Sequence, residues 1–214
     1  MAQRGRPKCF DPAAALDAAV LLFWERGFEQ TSVDEVAAAM NLCTSSLYSS
    51  FGDKETLFLA AVNHYLAGRG EVYREAVREG KTAREGFAKL FEVSANELTR
   101  TDQPRGCLLW LALPTCSPKY EKLQDEMNRL RASSEAGWLK RLREAVRLKE
   151  LPKNTDIDLL ASYFRTTLSG MSLQARSGAT KEQLMKIGQL ALAIWPKPSR
   201  KPAQKTMTTA SKNR

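Results

Sequence analysis

The sequence predicts an all-α protein with a small N-terminal helical unit and a larger helical remainder. Three observations carry that expectation. Apolar residues recur at three- and four-residue spacing in segment after segment, the pattern of helices with one buried face. Helix caps, prolines and glycines separate those segments. Residues 31–51, TSVDEVAAAMNLCTSSLYSSF, read as two short helices joined by a tight turn. The chain has 214 residues, of which 43% are apolar and 27% charged, enough for a real core under a hydrated surface.

Residues 1–9 show no hydrophobic periodicity and are expected to form a flexible basic arm. Its Arg4 and Arg6 suit phosphates or a narrow minor groove. Asp11 and Pro12 then start a helix as N-cap and first residue, and Leu16, Ala19, Val20, Phe23 and Trp24 give it an inward stripe. Gly27 ends it. Ser32 caps the next helix, with Glu35 placed to close a capping box and Val33, Val36 and Ala37 facing inward. Asn41 falls where the turn needs a positive φ, which asparagine tolerates better than most residues. The helix after the turn, about 43–50, points Leu47 back at its partner. Its other face is Cys43, Thr44, Ser45, Ser46, Tyr48 and Ser49, small or hydrogen-bonding groups that fit a major groove. Gly52 and Asp53 cap a long helix from Lys54, whose apolar face is Leu57, Phe58, Ala61, Val62 and Tyr65. Free N–H groups and the Lys54 cation at that helix start suit a backbone phosphate.

The run FWERGFEQTSVDEVAAAMNLCTSSLYSSFGDKETLF resembles the DNA-binding domain of the TetR/AcrR family of bacterial regulators. The resemblance covers about residues 10–60 and rests on RGF, TSVDEVA, LYxxF and DKE at fixed spacing. Asn41 stands where the family usually has glycine. Cys43 and Thr44 stand where a serine and a larger or basic residue are more usual, which bears on the operator sequence and not on the fold. The resemblance implies an N-terminal three-helix helix-turn-helix DNA-binding domain, residues 10–54, joined to a larger helical ligand-binding and dimerisation domain, residues 55–196. It also implies a homodimer paired through the last two helices and a small-molecule effector. Base contacts are expected from Thr44, Ser45, Ser46 and Cys43, and phosphate contacts from Thr31, Tyr48, Ser49 and Lys54.

The remainder supplies the segments such a domain needs. A helix over 83–100 faces inward through Phe87, Leu90, Phe91 and Leu98. A short apolar helical run, 107–113, lies between Pro104-Arg105-Gly106 and Pro114. Ser117-Pro118 opens a long helix to about Leu148, with Leu123, Met127, Leu130, Trp138, Leu142 and Val146 inward. Two further helices, near 156–176 and 180–195, carry stripes wider than one core requires, and Thr180 with Gln183 makes a second capping box. Phe164, Leu168 and Met171 on the first and Leu184, Ile187 and Leu190 on the second are therefore expected at the dimer contact. Phe87, Phe91, Trp110, Trp138 and Tyr163 are expected to line the effector pocket, which favours a mostly apolar effector. Residues 197–214 are rich in proline, lysine and threonine and are expected to form a disordered basic tail.

The formal net charge of +9 is unevenly distributed. Residues 1–60 hold 5 Lys/Arg against 8 Asp/Glu, residues 61–196 hold 22 against 16, and the tail holds 6 against none. The DNA-binding expectation therefore rests on the hairpin and not on the high pI. No run of about 18 uncharged apolar residues predicts a membrane span, and no apolar leader follows the N-terminus, so a cytoplasmic protein without a membrane partner is expected. The four cysteines, Cys9, Cys43, Cys107 and Cys116, lack CxxC spacing and are expected to be reduced. With one histidine, His64, and no HExxH, GxSxG or phosphate-cradling glycine loop, neither an enzyme nor a metal or cofactor site is expected. The leading reading is a repressor that binds an inverted-repeat operator in double-stranded DNA as a homodimer and is released by a small effector. Two other readings stay open: a thiol- or soft-metal-responsive regulator acting through Cys107 and Cys116 or through Cys43, and a helical protein-interaction adaptor without DNA binding.

Overall fold

The computed structural model describes residues 10–196; Arg4, Arg6 and Cys9 of the expected arm, and the tail, lie outside the described residues. Among the described residues the regular structure is entirely helical. Helix α1, Pro12–Arg26, starts as expected, with the Asp11 carboxylate accepting the Ala13 N–H at 2.9 Å, and stops at Gly27, whose φ is 81°. Helix α2, Val33–Ala39, carries both halves of the Ser32–Glu35 capping box, at 3.2 and 2.8 Å. Asn41 has φ 54°, and the turn brings the Leu42 N–H to the Ala37 carbonyl at 2.9 Å. Helix α3, Thr44–Phe51, begins one residue later than the sequence suggests, because Cys43 keeps extended dihedrals as its N-cap. Helix α4, Lys54–Gly68, is capped by Asp53, which accepts from the Thr56 N–H at 2.8 Å. Phe23, Phe28, Leu47 and Phe58 are fully buried among these four helices, with the Phe23 and Phe58 rings edge to face at 5.1 Å.

Helix α5, Glu71–Glu79, has no counterpart in the sequence reading. It buries only Ala76 and Val77, so its charged pattern hid it. Helices α6, Ala83–Leu98, and α8, Glu121–Arg147, follow the expected segments, α8 after a 3-10 turn at Pro118–Tyr120. Between them α7 is a single turn, Leu108–Leu111, shorter than the seven apolar residues suggested. Helices α9, Ile157–Arg176, and α10, Lys181–Ala191, close the fold, and a 3-10 turn at Leu192–Ile194 extends α10. The Thr180–Gln183 capping box is present. Gly188 lets α10 lie against α6, since a Cβ there would stand 2.6 Å from the Cβ of Phe91.

The second core corrects the expected dimer contact. Phe164, Met171 and Leu184 are fully enclosed and Leu168 nearly so; they pack within their own chain and cannot meet a partner. Phe164 lies 4.9 Å from the Phe87 ring, 5.5 Å from Phe91 and 6.0 Å from Trp195. Of the six expected residues, only Leu190, 72% exposed, and the half-buried Ile187 look outward. The exposed apolar face of α9 instead carries Leu159, Tyr163 and Leu173, with Ile194 beyond α10. Each helix carries apolar residues on its outer side as well as its inner one, and periodicity alone does not say which side meets the core.

The two halves are joined by direct contacts. The Phe28 N–H donates to the Ala112 carbonyl at 2.8 Å, and the Ser117 N–H donates to Glu29 at 2.8 Å. Arg176 donates to the carbonyls of Trp24 and Glu25 at the end of α1, at 2.6 and 3.2 Å.

Candidate nucleic-acid interface

Helix α3 is held by the fully buried Leu47 and by Phe51, which packs on the core and 6.1 Å from the Phe10 ring, and this leaves one polar side of the helix facing out. Ser45, Tyr48 and Ser49 are exposed, and Ser46 is half-buried. The Thr44 hydroxyl donates to Asp34 at 3.0 Å, tying the start of α3 to α2. Ser49 donates to the Ser46 carbonyl at 3.0 Å. No residue of α3 is charged, so its outer face offers hydroxyls that donate or accept as the neighbouring base edge requires.

Cys43 stands at the tip of this face, its Sγ 3.0 Å from the Ser46 hydroxyl and 3.3 Å from that of Ser45. Those hydrogen bonds lower its pKa to about 7. Burial pushes the thiols of Cys107 and Cys116 the other way. Because the thiolate is the nucleophile, alkylation of Cys43 by iodoacetamide should rise with pH to half its maximal rate near 7. Cys107 should stay unlabelled until the protein unfolds. Mass-spectrometric labelling across a pH series checks both, and equal reactivity of the two thiols would contradict this environment.

Two of the expected phosphate contacts are placed differently from the rest. Thr31 is buried, and its hydroxyl donates inward to the Gly27 carbonyl at 2.7 Å. It therefore shapes the α1–α2 bend, a correction to the expectation that it reaches a phosphate. Lys54 lies at the start of α4 with its ammonium 4.3 Å from the centre of the Phe28 ring, and burial lowers its pKa, with Lys119 acting in the same direction. It sits at the seam between the two halves.

The expected effector residues divide. Trp110 and Trp138 line a cavity of about 80 Å³, together with Tyr65, Tyr73, Cys107 and Glu135. Phe87 and Phe91 do not line it, because both rings are consumed by packing against Phe164. Tyr163 lies on the outer side of α9 and also takes no part. The unexpected member is Glu135, 6% exposed, with Oε1 lacking a hydrogen-bond partner and Oε2 3.4 Å from Arg165. Burial raises its pKa against the pull of Arg165. A signal for it existed in the sequence: Arg131 and Glu135 continue the inward stripe of α8 between Met127 and Trp138. Among the described residues no three His, Cys, Asp or Glu side chains stand together to hold a metal ion, and no helix is long and apolar enough to cross a membrane.

A capped helical hairpin that presents an uncharged, hydroxyl-bearing helix, carried by a helical body with its own cavity, defines a helix-turn-helix regulator. Residues 15–61 match the family described as bacterial regulatory proteins, tetR family. The chain is 34% identical over 196 residues to the HTH-type transcriptional repressor ComR of Escherichia coli (strain K12), across 90% of this chain and 92% of that one. It is 25% identical over 187 residues to the HTH-type transcriptional repressor BdcR of the same organism, across 87% and 90% of the two chains. Its fold superposes with a TM-score of 0.85 on a cysteine-substituted form of the TetR family transcriptional regulator CifR, solved with 26-bp double-strand operator DNA. That match has 36% identity and covers 89% of this chain and 100% of the other. The chain belongs to the TetR family of bacterial regulatory proteins and is a DNA-binding transcriptional regulator.

Proposed function

We propose that the protein is a cytoplasmic, non-enzymatic repressor that needs no cofactor, grips an inverted-repeat operator as a homodimer and lets go when a small, largely apolar molecule enters the regulatory domain. The observation that carries this reading is the outer face of α3, dressed in hydroxyls and turned outward by the buried Leu47 on the opposite side. Ser45, Ser46, Thr44 and Cys43 are assigned to base edges, and Tyr48 and Ser49 to phosphates. In a dimer built on the outer faces of α9 and α10, two copies of α3 would enter successive major grooves about 34–36 Å apart.

Tyr48 tests the assignment directly, because it is half exposed and stands outside the packed core of the described residues. Tyr48→Ala should weaken operator binding roughly 10- to 100-fold, the worth of one hydrogen bond to a charged acceptor. Dimerisation and helical content should not change. Selection of bound fragments from genomic DNA supplies the operator, and a gel-shift titration at fixed salt reads the loss. An unaltered affinity would remove Tyr48 from the interface.

The effector reading is supported by the size of the cavity. At about 80 Å³ it is smaller than the roughly 150 Å³ that accommodates benzene. An occupant must therefore push the walls apart. Those walls include Tyr65 and Leu66 of α4, the helix that starts beside α3, and Trp110 of α7, next to the Ala112 carbonyl that holds Phe28. A ligand that binds only the expanded form shifts the population towards it, with a coupling of about 1–3 kcal/mol in typical regulators.

A further inference from the structure

A second and larger cavity, of about 830 Å³, opens between the two halves of the molecule. This falls within the range of roughly 300–1,000 Å³ that small-molecule sites occupy. Its walls come from the end of α1, from α7 and from the facing sides of α8 and α9. Trp110 is the wall it shares with the inner cavity.

Its charge is one-sided. Arg26, Arg131, Arg165 and Arg176 line it, against a single carboxylate, Glu25. Arg26 is paired with Glu35, Arg165 reaches Glu135 at 3.4 Å and Arg176 reaches Glu25 at 3.6 Å. Arg131 is different. It is 9% exposed, and its partners are the Leu109 and Leu113 carbonyls, at 3.0 and 2.7 Å, and the Asn128 amide oxygen at 2.9 Å. No carboxylate pairs with it among the described residues, so a buried cation stands without a counter-charge, and each of its terminal nitrogens keeps a second N–H.

Two further donors are unused. The Trp24 indole N–H and the Arg176 Nε–H are both buried without a hydrogen-bond partner, and both residues line the cavity. Unmet donors and uncompensated positive charge ask for the same thing, an anionic oxygen acceptor. Leu111, Pro114, Ala132 and Leu173 make the remaining wall apolar, and the Arg131 guanidinium lies 5.5 Å from the centre of the Trp110 ring. Helical spacing places Arg165, Ser169 and Arg176 along one flank of α9, between its buried side and the Leu159–Tyr163 side assigned to the dimer.

We propose that this inter-domain cleft binds an organic anion, a carboxylate on a flat apolar body, at a site distinct from the inner cavity. The carboxylate takes the Arg131 and Arg176 donors, and the apolar body lies against Trp110, Leu111 and Ala132.

Calorimetric titration of the full-length protein with 1-naphthaleneacetate tests it, with 1-naphthaleneethanol as the neutral counterpart and inorganic phosphate as the anion without a body. The acetate should bind, and the alcohol should bind roughly 10- to 100-fold more weakly, the share of charge-assisted hydrogen bonds. Phosphate should also be weaker than the acetate. Ser169→Trp, which fills the cleft from the exposed flank of α9 and leaves the inner cavity untouched, should abolish acetate binding. Arg176→Gln, which removes one of the two assigned donors, should weaken it, with thermal unfolding confirming that each variant is folded. Absence of acetate binding, equal affinity for the alcohol or for phosphate, or undiminished affinity in Ser169→Trp would each overturn the proposal. Operator binding is a separate measurement, so failure here leaves the repressor reading standing.

Discussion

Leu159→Glu combined with Leu190→Glu should make the protein monomeric and lower its affinity for the full operator by about 10²–10⁴-fold, while leaving its helical content intact. Leu159 is 66% exposed on α9 and Leu190 72% exposed on α10, so neither supports the fold of its own chain. Leucines that face solvent in the isolated chain lose little when they become glutamates there. In a two-fold contact the same patch meets itself, so every carboxylate appears twice, and the buried apolar area that joins the pair is lost with it. Two linked recognition helices bind with an effective concentration that single ones lack, which is where the operator affinity goes. Sedimentation equilibrium and gel-shift titration read the two effects. A variant that stays dimeric would move the contact elsewhere on the surface, and a monomer that holds the whole operator undiminished would remove the need for pairing.

Phe164→Ala should destabilise the regulatory domain by about 3–5 kcal/mol, the range for a large aromatic removed from a packed core. Phe164 is fully buried, and its ring is surrounded by those of Phe87, Phe91, Tyr163 and Trp195. Against a total stability of about 5–15 kcal/mol, such a loss is a large fraction of what keeps a chain of this size folded. Urea denaturation should show an earlier midpoint with little change in slope. The substitution also separates two positions for Phe164. Made on the monomeric Leu159→Glu, Leu190→Glu background, it should cost as much as in the wild type, because its partners lie in the same chain. If the cost disappears on that background, Phe164 belongs to the dimer contact after all.

How much of this was readable in advance depended on how local each feature is. The Ser32–Glu35 and Thr180–Gln183 boxes join residues three apart, and both appear as expected. Asn41 was recognisable as a left-handed turn residue because the requirement is set by its own φ. Helix α5 was not readable from apolar spacing. Its exposed side is held by pairs such as Glu71–Arg74 and Glu75–Arg78, and it offers little hydrophobic pattern. Arg131 and Glu135 stand at core positions of α8, yet their charge gives no sign of burial in the sequence, since charged residues are rarely buried. On the reading helix, the exposed positions of Ser45, Tyr48 and Ser49 followed from the direction of Leu47, while the inward hydrogen bond of Thr31 did not.

The sequence by itself determined the helices, their caps and the turn that presents a polar α3, because each depends on dihedrals and hydrogen bonds spanning a few residues. Only the tertiary structure decided which apolar face of α9 and α10 is inside, which aromatic rings border a cavity and which are core, and where an arginine is left without a carboxylate. Those outcomes come from contacts between distant parts of the chain, such as Arg131 with Leu113, Glu29 with Ser117 and Arg176 with Trp24. A helix with two apolar sides satisfies the same periodicity whichever way it turns, and burial is chosen by the partner that the fold brings to it.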